Sequence, residues 1–245
     1  MVNGLYTASR AMTNILAKQD INAQNIANAS TNGFKMARLV NTSEVTVGRN
    51  DEGELRQKES QQISEVSTSF AQGPMVNTGN EFDVALTNPG FFMVEAEDGV
   101  RYTRNGSFSL NSYGELVTLS GKRVLDDSGQ PLVMKDGGSV HFMDDGSVNV
   151  DGQKVGKLGI VDFPDAKKLR YGQDGCYGNP DPKGNPPVVP TNASIKSGFV
   201  EGSNADPISI MVNMIADYRN YEAAQHTMHA VDETLGKAVN EVGKV

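Results

Sequence analysis

The sequence predicts an α+β chain: an all-β central domain of short antiparallel strands, flanked by N- and C-terminal coiled-coil-forming helices. Three observations lead there. Apolar residues recur at alternating spacings of three and four near both ends, the period of a helical seam. The middle is cut every six to ten residues by Asn-Gly, Asp-Gly and related pairs, which favour positive φ at the centre of tight hairpins. Prolines are missing from both end stretches once Pro207 is passed.

Residues 1–35 read as an N-terminal assembly helix. Leu5, Ala8, Met12, Ile15, Gln19, Asn22 and Ile26 form the seam, and Asn32-Gly33 supplies a stop. Gln19 and Asn22 are polar seam positions, which weaken such a contact but fix its register. Residues 36–80 read as a polar linker or extended segment, because Asn41 to Gln72 is rich in Ser, Thr, Glu, Gln and Asn. Residues 81–163 carry the antiparallel β domain. Its strands are 82–86, 91–94, 101–103, 107–110, 115–119, 131–133, 140–142, 147–150 and 158–161. Residues 164–206, dense in proline and glycine, read as a return connection.

Residues 207–245 read as a C-terminal assembly helix. Asp206 suits the cap and Pro207 the first turn. Its seam is Met211, Met214, Tyr218, Tyr221, Gln225, Met228, Asp232, Leu235, Val239 and Val242. At 1.5 Å per residue the helix spans roughly 54 Å, against a radius of gyration of about 18 Å for a compact chain of this length. Such a helix is expected to project from the β body. Neither seam buries its stripe alone, so the two pair with each other, with another subunit, or both.

Charge narrows the partners. The 245 residues hold 22 basic against 30 acidic side chains, a net charge of −8, which disfavours a phosphate backbone as partner. The ends differ in sign. Residues 1–40 carry Arg10, Lys18, Lys35 and Arg38 against Asp20, whereas residues 201–245 carry three basic residues against seven acidic ones. The single cysteine, Cys176, excludes an intrachain disulfide and a cysteine-rich metal site. No basic n-region and apolar h-region open the sequence, and no apolar run reaches about 18 residues, so neither a cleaved leader nor membrane insertion is expected.

Motifs for chemistry are thin. Glu222, His226, His229 and Glu233 share a helical spacing compatible with metal ligation but read better as a solvated face. Ser147 to Gly152 lacks the acidic ends of a calcium loop and reads as a turn. Gly152 to Lys157 is one residue short of a phosphate loop. Cys176, with no nearby His, reads as an exposed spare thiol. Asp126-Asp127 and Asp144-Asp145 are the pairs that a glycan-cleaving enzyme would need, yet both sit at hairpin turns. No cofactor, no small-molecule substrate and no catalytic residue are expected. A soluble module with a closed helical bundle is the other competing class.

A resemblance then emerges from motifs in chain order. Asn25-Ile26-Ala27-Asn28 with Thr31-Asn32-Gly33-Phe34-Lys35 resembles the N-terminal signature of the bacterial flagellar axial proteins, the rod and hook group. Thr78-Gly79-Asn80, Asp83-Val84-Ala85, Gly90-Phe91-Phe92 and Tyr102-Thr103-Arg104-Asn105-Gly106-Ser107-Phe108 are similar to its central segment. Glu201-Gly202-Ser203-Asn204, Met214-Ile215 and Tyr221-Glu222-Ala223 resemble its C-terminal signature. The length and Val155 to Phe163 are most like the proximal-rod members, with distal-rod members the close competitor. Arg10-Ala11, Asn88-Pro89 and Cys176 depart from the usual pattern. The resemblance implies a non-enzymatic subunit of the basal-body rod, crossing the periplasm and needed for motility. Its implied partners are copies of itself, other rod subunits and the flagellar type III export apparatus. It also implies export without signal cleavage, and terminal segments that become helical on assembly.

Overall fold

The computed structural model describes residues 2–49, 55–134, 138–172, 174–190 and 192–242. The Asp136-Gly137 turn signal therefore lies outside the described residues. Among the described residues, two α-helices, α1 (Val2–Ala27) and α2 (Pro207–Val242), flank a β-rich middle in which all strand pairs are antiparallel.

The chain forms two compact units. The first comprises residues 1–27, 37–68 and 206–245. Here α1 packs on α2 within the single chain, and also on β1 (Ala37–Arg49), which pairs with β2 (Leu55–Thr68) as a long hairpin. The segment expected as a linker is thus extended but paired. Its side chains alternate too weakly in hydrophobicity for period-two patterning to reveal a strand, while backbone pairing needs no such pattern.

The second unit, residues 28–36 and 69–205, is the β body. Its strands are β3 (Met75–Asn77), β4 (Val84–Leu86), β5 (Phe91–Ala96), β6 (Gly99–Thr103), β7 (Phe108–Leu110) and β8 (Leu116–Thr118). Then come β9 (Val140–Phe142), β10 (Ser147–Val150), β11 (Gln153–Lys157), β12 (Ile160–Val161), β13 (Arg170–Tyr171), β14 (Tyr177–Gly178), β15 (Ile195–Ser197) and β16 (Phe199–Glu201). The largest sheet runs β12-β5-β6-β14-β13; a three-stranded sheet runs β11-β10-β9, and β15-β4, β16-β3 and β7-β8 form pairs.

Alternation along β5 organises the interior. Phe91 and Phe92 point to opposite faces, as successive strand residues must. Phe92 joins a cluster with Val84, Leu86, Phe108, Leu116 and Leu158, whereas Phe91 joins Tyr102, Val161, Phe163 and Tyr177. The Phe92 and Phe108 rings meet edge to face at 5.2 Å, and Tyr102 meets Phe163 at 4.8 Å. Turn chemistry works as the sequence suggests at Asp151-Gly152, where φ values of 52° and 80° close the β10–β11 hairpin.

Four expectations are revised. The N-terminal helix does not extend to residue 35, because α1 ends at Ala27 and residues 28–36 belong to the β body. The return connection is no mere connection, because residues 164–206 contribute β13 to β16 to the body. Residues 131–133 make isolated bridges to Leu125 and Glu115 instead of a strand. Cys176 is not exposed: it is buried in the Phe92 cluster, and burial pushes its thiol pKa up.

A strap at residues 186–190 edges the main sheet. Val188 exchanges both backbone hydrogen bonds with Asp162, at 2.8 Å each, directly after β12. Asn185 anchors the strap. Its side chain donates to the Asp165 carbonyl and accepts from the Asp165 amide, and its amide and carbonyl are also paired.

Candidate functional site

Two arrangements bring the singled-out residues together: a charged cluster inside the body, and the helix pair.

The cluster is built on Glu201, the last residue of β16, whose side chain is fully buried. One carboxylate oxygen accepts from the Lys35 ammonium and from the Gly73 amide at 2.9 Å. The other accepts from Arg104 Nε at 2.9 Å and lies 2.8 Å from its Nη2. Lys35 also donates to the Ala71 carbonyl at 2.8 Å, and Arg104 Nη1 to the Asn88 and Gly90 carbonyls at 2.8 and 2.7 Å. A buried carboxylate so supplied is compensated, and both cations have further acceptors. Burial lowers the Lys35 pKa, and the Glu201 carboxylate pulls it back. The same two influences act on Arg104.

Backbone and amide contacts complete the junction. Gly33 N donates to the Glu201 carbonyl at 2.7 Å. Asn204 accepts from the Met36 amide at 2.7 Å and donates to the Ser69 and Ala71 carbonyls at 2.8 and 2.9 Å. Phe34 packs edge to face on Tyr171 at 5.3 Å. Gly202 N donates to the Pro74 carbonyl at 2.8 Å, and Ser203 accepts from the Ala205 amide. Just upstream, Asn25 grips both polar groups of Ala37, closing the turn from α1 into β1. Asn28 accepts from the Thr31 amide, holding the bend that leads to Gly33.

The motif residues Gly33, Phe34, Lys35, Gly90, Glu201 and Asn204 therefore meet at one place, and Phe91 and Phe92 supply the core beneath them. Arg104 was quoted in a motif but not singled out as a site residue. Its sequence signals are that motif and its place, as a charged residue, between the hydrogen-bonding turn residues Thr103 and Asn105.

On the helix pair, Ala8 is buried, and Met12, Ile15, Gln19, Asn22 and Ile26 are half-buried. The side chains of Leu5 and Val239 lie outside the described residues. On α2, Met214, Tyr221, Met228 and Leu235 are half-buried, while Met211, Tyr218 and Gln225 are exposed. The stripe of α2 that is sheltered within the chain consists of Ile210, Met214, Asp217, Tyr221, Ala224, Met228, Val231 and Leu235. Lys18 and Asp217 face each other at 3.8 Å across the pair. A second stripe remains open: Ile208 at 73% exposed, Val212 at 62%, Ile215 at 58%, with Met211 and Tyr218 beside them.

The carboxylate pairs are turn elements. Asp126 accepts from the Ser128 and Gln130 amides. Asp145 accepts from the Ser147 amide and hydroxyl, which hold its pKa below the usual carboxylate range.

Three stretches of the chain match flagellar families, in chain order. The chain matches "Flagella basal body rod protein" over residues 5–35 and "Flagellar hook protein FlgE/F/G D1 domain" over 85–162. It matches "Flagellar basal body rod FlgEFG protein C-terminal" over 196–241. Lys35, Arg104 and Glu201 each fall in a different one of these segments. The chain belongs to the flagellar basal-body rod protein family. Among its relatives, it is 37% identical to the flagellar basal-body rod protein FlgF of Caulobacter vibrioides, over 100% of both chains. It is 32% identical to FlgF of Mesorhizobium japonicum over 99% of both. It is 30% identical to FlgG of Bacillus subtilis over 98% of this chain and 99% of that one.

Proposed function

We propose that this chain is a structural subunit of the bacterial flagellar basal-body rod, of the proximal, FlgF-like kind. It polymerises through its terminal helices with copies of itself and with other rod subunits, in coiled-coil fashion. The exposed apolar stripe of α2 carries this reading. A soluble helix seldom presents Ile, Val, Ile, Met and Tyr side chains along one face unless something covers them.

The sheltered stripe joins α2 to α1, and the open stripe is left for a neighbouring subunit. Met211 suits such a surface, because its flexible side chain adapts to slightly non-equivalent neighbours. The opposite charges of the two ends favour pairing of N-terminal with C-terminal helices. The work is mechanical and not catalytic, and it takes place in the rod where it crosses the periplasm. The chain gets there through the flagellar type III export apparatus without cleavage of a leader. Nucleic acid, small-molecule substrates and membrane insertion play no part.

The double substitution Met211→Glu with Ile215→Glu tests the reading. Both side chains are solvated in the single chain, so its stability should move by no more than about 0.5 kcal/mol each. Rod incorporation and swimming in soft agar should be lost, because a charge on a buried seam is not tolerated. Wild-type rods and wild-type swimming from the double variant would overturn it.

A further inference from the structure

The junction at Glu201 does more than fill the body, for three reasons.

First, it ties segments far apart in the chain. Lys35 and Glu201 are separated by 166 residues, Gly73 and Glu201 by 128, and Arg104 and Glu201 by 97. Contacts that close such long loops bear the largest ordering cost and gain least from local structure.

Second, it is all-or-none. With Glu201 withdrawn, Lys35 and Arg104 would be left as buried cations without their hydrogen-bonded counter-charge, and each repels the other. Partial opening is therefore the expensive state. Complete opening returns a carboxylate, an ammonium and a guanidinium to water together.

Third, its neighbours in the body follow different physics. Val84, Phe92 and Leu116 are fully buried apolar side chains, and separating them exposes hydrocarbon without any gain in hydration. Phe34 is the one buried apolar side chain among residues 33–36, 73 and 201–204 besides Val200's neighbour-free stretch, so opening the junction exposes far less hydrocarbon than parting the core.

We propose that residues 33–36, residue 73 and residues 201–204 form a latch, which opens as one cooperative unit while the remainder of the body stays folded. Residue 28 follows directly from α1, residue 36 leads into β1, and residue 205 leads into α2. Opening the latch therefore frees the chain leading to both helices without melting the core. The latch stands or falls independently of the rod reading, since it concerns the folded single chain.

Native-state amide hydrogen exchange on the full-length protein tests it. One set of amides reports the latch: Gly33, Met36, Gly73 and Gly202, whose acceptors are Glu201 O, Asn204 Oδ1, Glu201 Oε1 and Pro74 O. A second set reports the core: Val84, Met93, Leu116 and Leu132, which donate to Gly106, Gly159, Leu132 and Val124. In the wild type the latch set should exchange with one common opening rate constant, about 10-fold or more faster than the core set. Glu201→Gln should speed the latch set by a further factor of about 100 or more and leave the core set within about 3-fold. Asn204→Ala, a milder lesion, should act in the same direction on the same amides. Equal exchange of both sets in the wild type would overturn the latch, and that comparison needs no variant. Equal acceleration of both sets by Asn204→Ala would overturn it too.

Discussion

At Gly33 the backbone sits at φ +72°, and a Cβ built there would lie 2.3 Å from the Asn105 amide nitrogen. Both the left-handed backbone and the close approach demand glycine. The Gly33→Ala variant should lose about 2–3 kcal/mol in urea unfolding, because strain and clash add. A loss under about 0.5 kcal/mol would mean that residues 33–36 are not seated against the body. The sequence made this position visible only through a motif, as a helix stop. α1 already ends at Ala27, so Gly33 stops no helix; what the sequence could not display is that the chain turns here to bring Lys35 into a dry interior. Lys35 and Glu201 are charged residues, and composition places charged residues outside by default. Only their joint arrival at Arg104 makes burial affordable. Cys176 shows the opposite failure: the surrounding Gly, Asn and Pro suggested an open loop, yet the short strand β14 draws the thiol inward.

α2 begins on a cap that was legible residue by residue. Asp206 accepts from the amides of Ile208 and Ser209, and Pro207 occupies the first turn. The Ser209 hydroxyl, then the Ile208 amide, lowers the Asp206 pKa in the folded chain. A carboxylate lowered on folding contributes its full stabilisation above its unfolded value, about 3.9, and loses it as pH falls through the lower folded value. The 222 nm ellipticity of the wild type should therefore decline more below about pH 4 than that of Asp206→Asn, which caps without titrating. Identical acid profiles would show that the cap does not couple to helix stability. The phase of α2 was harder to read. Ile210 and Met211, and likewise Met214 and Ile215, are adjacent apolar pairs, so spacing alone permits two stripes one residue apart. The reading from spacing mixed them, joining Met214, Tyr221, Met228 and Leu235 of the sheltered stripe to Met211 and Tyr218 of the open one. α1 has adjacent apolar pairs of its own, such as Ile15-Leu16, where Ile15 is half-buried and Leu16 exposed.

The molecule divides its resources unevenly between its two units. Among the described residues, both buried hydrophobic clusters belong to the β body, while the helix unit buries few side chains, Ala8 and Ile210 among them. Helical structure with so little apolar burial is marginal in the single chain. Two unfolding transitions should follow in a urea titration, with the 222 nm helical signal lost before the near-UV signal of the packed tyrosines. Superimposable curves would show that the chain unfolds as one cooperative body. At this scale the order helix, β body, helix was legible, because it rests on long periodic segments and repeated turn signals. The body's extent was not, since strands of two or three residues such as β13, β14 and β15 are shorter than any periodicity that could announce them.

The strap at residues 186–190 bears on how such a chain survives at high concentration. Pro186, Pro187 and Pro190 have no amide hydrogen, and the Val188 amide is already given to Asp162. Along that rim only the Val189 amide is left to greet an incoming strand. Stranger chains thus find no template there for stacking into amyloid-like ribbons, and self-association is steered away from the sheet margin.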